Sequence, residues 1–151
     1  MSTGWSPDAP ANEVDVLIAL RFAERASRKA LTAELAGSGV YAGQEMVLVK
    51  LAHHGSMPVA QLAKVLDVEV PTATRTAQRM EASGLVRRLK TAADARQVRV
   101  ELTEKGEEMA RKVQDLHLLA GKRALRGIDA EQRRLLRNLL WTITANVDEI
   151  A

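Results

Sequence analysis

The spacing of apolar residues changes in the middle of the chain, and this change constrains the fold more than any other feature. Up to residue 84 apolar residues recur every three or four positions, as on one face of a helix. Over residues 85–89 and 97–102 they alternate with polar residues, as in the strands of a hairpin. Residues 90–96 are polar and charged and are predicted to connect these strands. After residue 103 the helical spacing returns, so the sequence predicts a mainly α fold with a small β-hairpin.

Four helices are predicted before the hairpin, over residues 13–34, 43–53, 58–66 and 71–83. The last two are short and are separated by the turn Asp67-Val68-Glu69. Pro58 has the fixed backbone angle suited to a first helical position, and Gly84 is placed to cap the C-terminus of the fourth helix. Two helices joined by a tight turn and followed by a hairpin are the pattern of a winged helix-turn-helix.

Two helices are predicted after the hairpin. Thr103 is a good N-cap for the first, which runs to about residue 126, and Asp129 and Gln132 have capping-box spacing and open the second. The apolar residues of this last helix step by four and three, as in a coiled coil: Leu136, Leu140, Ile143, Val147 and Ile150. Such a seam needs a partner helix. The partner is either the apolar stripe of the first helix in the same chain or a second copy, and we predict a dimer.

Composition restricts the chemistry that the chain can perform. Its 151 residues suit one ordinary domain, and 46% hydrophobic residues are typical of a folded protein. The absence of cysteine excludes disulfides and thiolate zinc sites. No apolar run has the length of a membrane span and no signal pattern opens the chain, so we expect a cytoplasmic protein. No catalytic motif is recognisable, so we predict neither an enzyme nor a cofactor or metal.

The helix over residues 71–83 carries side chains suited to binding DNA. If Ala73, Ala77 and Met80 face inward, polar and basic side chains share the outward face. They are Thr72, Arg75, Thr76 and Arg79. Hydroxyl groups can approach base edges or phosphates, and an arginine can form bidentate hydrogen bonds with guanine or contact the DNA backbone. The alternative is an ordinary solvated helix face, and the helix-turn-helix context favours DNA.

The hairpin is rich in basic residues. These lead into and out of its tip: Arg87, Arg88, Lys90, Arg96 and Arg99. An arginine at the tip of a wing can enter the minor groove beside the site that the helix reads. Asp94 is close enough in sequence to orient the guanidinium of Arg96 through a salt bridge. Charges on hairpins also discourage pairing between strand edges, but the dominance of basic residues favours nucleic acid.

Residues 44–106 resemble the MarR family of regulators in three stretches that occur in order and at suitable spacing. They are Gln61-Leu62-Ala63-Lys64 with Leu66; Thr72-Ala73-Thr74-Arg75 followed by Met80-Glu81-Ala82-Ser83-Gly84-Leu85-Val86-Arg87-Arg88; and Asp94-Ala95-Arg96 ahead of Leu102-Thr103-Glu104-Lys105-Gly106. They resemble the first helix of the family's helix-turn-helix, its recognition helix with the entry strand, and its wing with the exit motif. Each stretch alone is a weak signal, whereas the three together are specific.

The resemblance implies a homodimer that binds a pseudo-palindromic operator in double-stranded DNA, as a repressor released by a small-molecule effector. It divides the chain into a flexible lead-in (1–12), an N-terminal dimerisation helix (13–36), a DNA-binding lobe (43–102) and C-terminal dimerisation helices (103–151). The residues expected at the DNA are Thr72, Thr74, Arg75, Thr76, Arg79, Arg87, Arg88, Lys90, Asp94 and Arg96. Leu20 and His117 are expected to line an effector pocket.

Two positions depart from the family pattern. Pro71 stands where many relatives have serine and has no amide proton to offer a phosphate, and Gln97 stands where a second arginine often follows. We therefore expect a distinct operator or a lower affinity. One alternative function is a winged-helix protein-interaction module without sequence-specific DNA binding, against which Arg75 and Arg79 argue. Another is a ligand-binding protein or enzyme built on a helical dimer, for which the sequence offers no polar catalytic cluster.

Overall fold

The computed structural model describes residues 11–41, 43–91 and 94–148, and of residues 91 and 94–97 only the backbone. The elements follow in the order α1 (Glu13–Leu35), α2 (Gln44–His54), β1 (Met57–Pro58), α3 (Val59–Leu66), α4 (Val70–Ala82), β2 (Val86–Thr91), β3 (Asp94–Leu102), α5 (Glu104–Ala124) and α6 (Ala130–Asp148). The prediction of a mainly α, winged helix-turn-helix fold is confirmed.

The core lies between the helix-turn-helix, the sheet and the N-terminal half of α5. Its fully buried large side chains come from α2, α3, α4, α5 and all three strands: Val47, Leu48, Leu51, Met57, Leu62, Met80, Val86, Val100 and Val113. Burial of such side chains contributes roughly 1.5–3 kcal/mol each relative to exposure. Because the chain has only 3% aromatic residues, this core is built from aliphatic side chains.

The strand β1 was not predicted, and it changes the role of Pro58. Met57 lies opposite Val100 and Pro58 opposite Arg99 in an antiparallel pairing with β3. Pro58 has extended backbone angles (φ −60°, ψ 146°) and is the N-cap of α3. The prediction that it is the first helical residue is therefore wrong. A proline, which has no amide proton, fits at the edge of a sheet.

The hairpin β2–β3, hereafter the wing, is longer than predicted. The sheet order is β1-β3-β2 and the register places Val86 opposite Leu102. Because β2 runs to Thr91 and β3 begins at Asp94, most of residues 90–96 lies in the strands. The prediction that they form the connection is wrong, since ladder hydrogen bonding continues through these charged residues. The predicted inward face is present, with Val100 buried and the flanking Val98 and Leu102 half-buried.

The N-termini of α1 and α6 follow capping rules, but the apolar faces of the two helices are exposed. The Asn12 side chain accepts hydrogen bonds from the amides of Val14 and Asp15, both at 3.0 Å, and so starts α1. The Asp129–Gln132 capping box starts α6, as predicted. No residue of α6 from Ala130 to Asp148 is buried. The exposed large apolar side chains of the two helices include Val14, Val16, Leu17, Ile18, Phe22, Leu135, Leu136, Leu139, Leu140, Trp141 and Val147. Residues 1–10 and Ile150 lie outside the described residues.

Candidate nucleic-acid interface

Helix α4 is held against the core by three side chains. Ala73, Ala77 and Met80 are buried, as the sequence predicted. The C-terminus ends in a Schellman motif, in which the amide of Leu85 donates to the carbonyl of Met80 at 2.9 Å and Gly84 adopts φ +74°. Glycine occupies such left-handed positions without the steric cost of a Cβ. The direction and the end of α4 are therefore both fixed.

The opposite face of α4 is open to solvent. Thr72, Arg75 and Arg79 are exposed there, as predicted. Thr74 and Thr76 are half-buried, and the Thr74 hydroxyl donates to the carbonyl of Val70 at 2.8 Å. This bond reduces the freedom of Thr74 to act as a donor to a ligand. The sequence prediction omitted Gln78, which is exposed on the same side of the helix. Its helical offset of three residues from Arg75 is the sequence signal that could have identified Gln78.

The inner face of the wing is joined to α4 by an ion pair. The Arg88 Nε lies 2.6 Å from Glu81 Oε2, and the Arg88 amide donates to Glu81 Oε1 at 3.0 Å. The side-chain hydrogen bond from Arg88, followed by the bond from its amide, holds the pKa of the Glu81 carboxyl below its ordinary value. The guanidinium of Arg88, predicted to contact DNA, is thus oriented by α4 itself.

The outer face of the wing carries a second pair. Arg87 is paired with Glu101 on the neighbouring strand and keeps 64% of its side chain exposed. Lys90 is exposed, whereas Arg99 is half-buried and its Nε donates to the Ser56 hydroxyl at 3.1 Å. Arg99 thereby connects the wing to the segment before β1. The side chains of Asp94, Arg96 and Gln97 lie outside the described residues, so the predicted orientation of Arg96 by Asp94 stays a prediction.

The end of α4 and the start of α5 form one junction, built from residues 83–85 and 103–106. The Thr103 hydroxyl donates to the carbonyl of Gly84 at 2.6 Å and accepts from the amide of Gly106 at 3.0 Å. The Lys105 ammonium group donates to the carbonyl of Ser83 at 2.8 Å. A Cβ on Gly106 would lie 1.9 Å from the Leu85 carbonyl oxygen. The exit motif noted in the sequence therefore holds the start of α5 against the end of α4.

Two cavities adjoin the wing. A polar cleft of about 540 Å³ lies between α2, the outer face of the wing and α5, and Arg87, Glu101 and Arg111 are among its lining residues. A smaller, apolar cavity of about 270 Å³ lies between the helix-turn-helix and the wing. Leu20 and His117, predicted to line an effector pocket, belong to neither lining. Both are half-buried.

Two buried polar atoms have no hydrogen-bond partner among the described residues. They are Oε2 of Glu45 on α2 and Nε2 of His117 on α5. Buried polar groups are usually hydrogen-bonded, so an unpartnered one calls for an explanation such as a ligand or a second chain. Among the described residues no group of three or more potential ligands is placed to hold a metal ion. None of the described helices is long and apolar enough to cross a membrane.

The segment from Val40 to Val98, which contains α2, the helix-turn-helix and much of the wing, matches the sequence model of the MarR family. The resemblance predicted from the sequence is therefore confirmed over this segment. The matched segment is the part of the chain that carries the exposed face of α4.

Solved structures share the fold along most of the chain. A MarR transcriptional regulator from Methanosarcina mazei Go1 is 24% identical with a TM-score of 0.82, over 92% of this chain and all of its own. A mutant of MarR from E. coli, complexed with operator DNA, is 22% identical with a TM-score of 0.78, over 88% and 99% of the two chains. BpsR from Bordetella bronchiseptica, solved in a study of its regulation by 6-hydroxynicotinic acid, is 21% identical with a TM-score of 0.80, over 90% and 98%.

Proposed function

We propose that this protein is a homodimeric regulator of transcription that binds a pseudo-palindromic operator in duplex DNA. The observation that carries the proposal is the exposed face of α4, where Thr72, Arg75 and Arg79 are open to solvent and three other side chains of the helix are buried. A recognition helix with this arrangement enters the major groove, where arginine can fork onto guanine. The structural relative from E. coli that was solved with operator DNA supports the same use of the fold.

The basic wing supplies the second contact with DNA. Arg87, Arg88 and Lys90 follow α4 directly, and Arg96 is placed by sequence near the tip of the hairpin. Arginine in a narrow minor groove is favoured by the enhanced negative potential there. The Glu81–Arg88 pair fixes β2 relative to α4. Because both elements belong to one packed unit, the wing contacts the flank of the site that α4 reads.

The dimer in this proposal is formed by α1, α5 and α6. None of the described residues of α6 is buried within one chain, and Trp141 is 68% exposed. Exposed apolar surface on this scale marks an interaction surface. Two-fold symmetry would set the recognition helices roughly 34–36 Å apart, one turn of DNA. The operator would then be an inverted repeat.

The proposed mode of control is repression released by a small molecule. Leu20 and His117 are the proposed contacts of this effector, and the support in the structure is the buried, unpartnered Nε2 of His117. The relative BpsR, whose DNA binding is regulated by 6-hydroxynicotinic acid, provides the comparison. An effector changes DNA binding only if it prefers one arrangement of the two lobes, because equal affinity for both shifts nothing.

The deciding experiment is selection of bound duplexes from a random pool, followed by titration of the enriched duplex and a scrambled one at two salt concentrations. We expect an inverted repeat with half-sites one helical turn apart, bound at least about 1,000-fold more tightly than scrambled DNA. If no sequence is enriched and binding disappears at physiological salt, the operator function is wrong and the basic face is a nonspecific patch.

The wing is tested separately with Arg96→Ala. We expect weaker operator binding with an unchanged free energy of unfolding, because a guanidinium in the minor groove is lost while the core is intact. Arg126→Ala, which removes an exposed arginine beyond the end of α5, is the matched control. Wild-type affinity in Arg96→Ala would exclude the wing contact, whereas equal losses in both variants would indicate a general effect of charge.

A further inference from the structure

We infer that Gln78 is a specificity-determining residue that reads an adenine next to the base pair read by Arg75. The inference rests on the proposed DNA-binding function and adds a side chain to its recognition surface. Gln78 is exposed in the middle of α4, and its amide makes no hydrogen bond with the described residues. In the sequence it lies between the two exposed arginines of the helix, Arg75 and Arg79.

Burial fixes which way each side chain of α4 projects. Successive residues of a helix are offset by about 100°. Measured from the mean direction of the buried Ala73, Ala77 and Met80, Arg75 lies about 165° away, and Gln78 and Arg79 lie about 130° away on either side of it. Thr72 lies only about 105° away and Thr76 about 65°, in agreement with the half-buried state of Thr76. The surface centred on Arg75 therefore includes Gln78 more directly than either threonine.

The chemistry of the side chain selects the base. A glutamine amide has one acceptor and two donors and pairs with the N6 amino group and N7 of adenine in the major groove. Arg75 pairs in the same groove with the O6 and N7 of guanine. Three residues along a helix correspond to about 4.5 Å, close to the 3.4 Å spacing of bases along a strand. The two side chains are thus spaced to read neighbouring base pairs.

The test compares the sequences selected by the wild-type protein, by Gln78→Ala and by Gln114→Ala. Gln114 is an exposed glutamine on α5 and provides the matched control. We expect Gln78→Ala to lose an adenine preference of about 5- to 150-fold at one position of each half-site. The salt dependence of binding should be unchanged because no charge is removed. Gln114→Ala should keep the wild-type preference at every position.

Replacing the selected adenine by 7-deazaadenine removes only the N7 acceptor and tests the contact from the DNA side. This change should weaken binding by the wild-type protein and by Gln114→Ala, but not by Gln78→Ala. If the wild type selects a defined site and Gln78→Ala keeps the adenine preference, the inference is wrong and the DNA-binding function stands. If the wild type selects no sequence, the proposed function fails and the inference fails with it.

Discussion

A methyl group on residue 106 would lie 1.9 Å from the carbonyl oxygen of Leu85. No flexible side chain is involved on either side of this contact, so the backbone itself would have to move. We predict that Gly106→Ala lowers the free energy of unfolding by about 1–3 kcal/mol or more, as measured by urea denaturation. The change should also weaken DNA binding, since Leu85 connects α4 to the wing.

Gly121 provides the matched control for this substitution in the same helix. A Cβ at residue 121 meets nothing within 4 Å. Because alanine favours the helix over glycine by up to about 1 kcal/mol, Gly121→Ala should be neutral or stabilising. Equal destabilisation by the two substitutions would contradict the argument that the Leu85 contact is responsible.

The Glu81–Arg88 pair predicts a pH dependence of stability. Hydrogen bonds from Arg88 lower the pKa of the Glu81 carboxyl in the folded state. A lowered pKa means that the folded chain binds this proton less readily than the unfolded chain. The stabilisation is therefore present above the ordinary carboxyl pKa and is lost as the pH falls through the folded-state pKa.

Glu81→Gln should reduce the difference in unfolding free energy between about pH 6 and about pH 3.5, a range that spans the ordinary glutamate pKa. Urea denaturation at the two pH values measures this difference. Glu108→Gln, at an exposed residue of α5 without an ion pair to a described residue, is the control and should keep the wild-type pH dependence. An unaltered pH dependence in Glu81→Gln would exclude the pair as its source.

Individual roles were predictable from the sequence where they depend on neighbours along the chain. The buried alanines of α4 follow from helical spacing, and the Thr103 cap follows from its position before an acidic turn. The half-burial of Thr76 and the pairing of Arg88 with Glu81 depend on how β2 packs beside α4. Local spacing contains no information on that packing. Gln78 is a different case, because its helical offset of three residues from Arg75 was available in the sequence and the prediction omitted it.

At the scale of elements, Thr103 has a second role that its position as an N-cap did not indicate. Its hydroxyl accepts from Gly106 within α5 and donates to Gly84 at the end of α4. We predict that Thr103→Ala lowers the free energy of unfolding by about 1–2 kcal/mol, the upper part of the range for lost N-caps. Thr142→Ala, which removes only a bond to Asn138 within α6, should cost less. Thermal or urea unfolding distinguishes the two, and equal costs would argue against the second bond.

The elements themselves were predictable except where they depend on distant partners. The six helices carry clear periodicity, and the alternation around Val98 and Val100 identified the wing. The two residues of β1 become a strand only because β3 lies beside them, and no pattern of two residues signals this. The strands of the wing were predicted too short because their charged ends resemble a loop in composition.

At the scale of the whole molecule, the uncovered face of α6 predicts association. Replacing Leu136 and Leu140 together by glutamate places charges on the coiled-coil seam, where burial against a partner would cost several kcal/mol. We expect the double variant to sediment as a monomer and to lose operator affinity, as measured by analytical ultracentrifugation and DNA titration. Asn138→Glu, on another side of α6, should leave the wild-type association intact. A double variant that associates like the wild type would exclude this seam as the interface.

The seam itself was visible in the sequence, because its four-and-three spacing is a local property. The residues that surround an effector were not visible in the sequence. A pocket formed by several helices, and by two chains in the proposed dimer, leaves no pattern along the sequence of any single helix. Leu20 and His117 were named from resemblance alone. The unpartnered Nε2 of His117 is the one structural sign in the described residues that supports either.

Because the junction of residues 83–85 and 103–106 joins α5 to the end of α4, a tilt of the long helix α5 moves α4 with it. With 21 residues, α5 is about 30 Å long, and three contacts at its first turn hold the end of α4. A tilt of about 10° around the far end of such a rod moves the near end by about 5 Å. That displacement exceeds the roughly 3.4 Å between neighbouring bases on a strand. A rotation of about 10° is therefore sufficient to carry α4 out of register with the groove in the proposed complex.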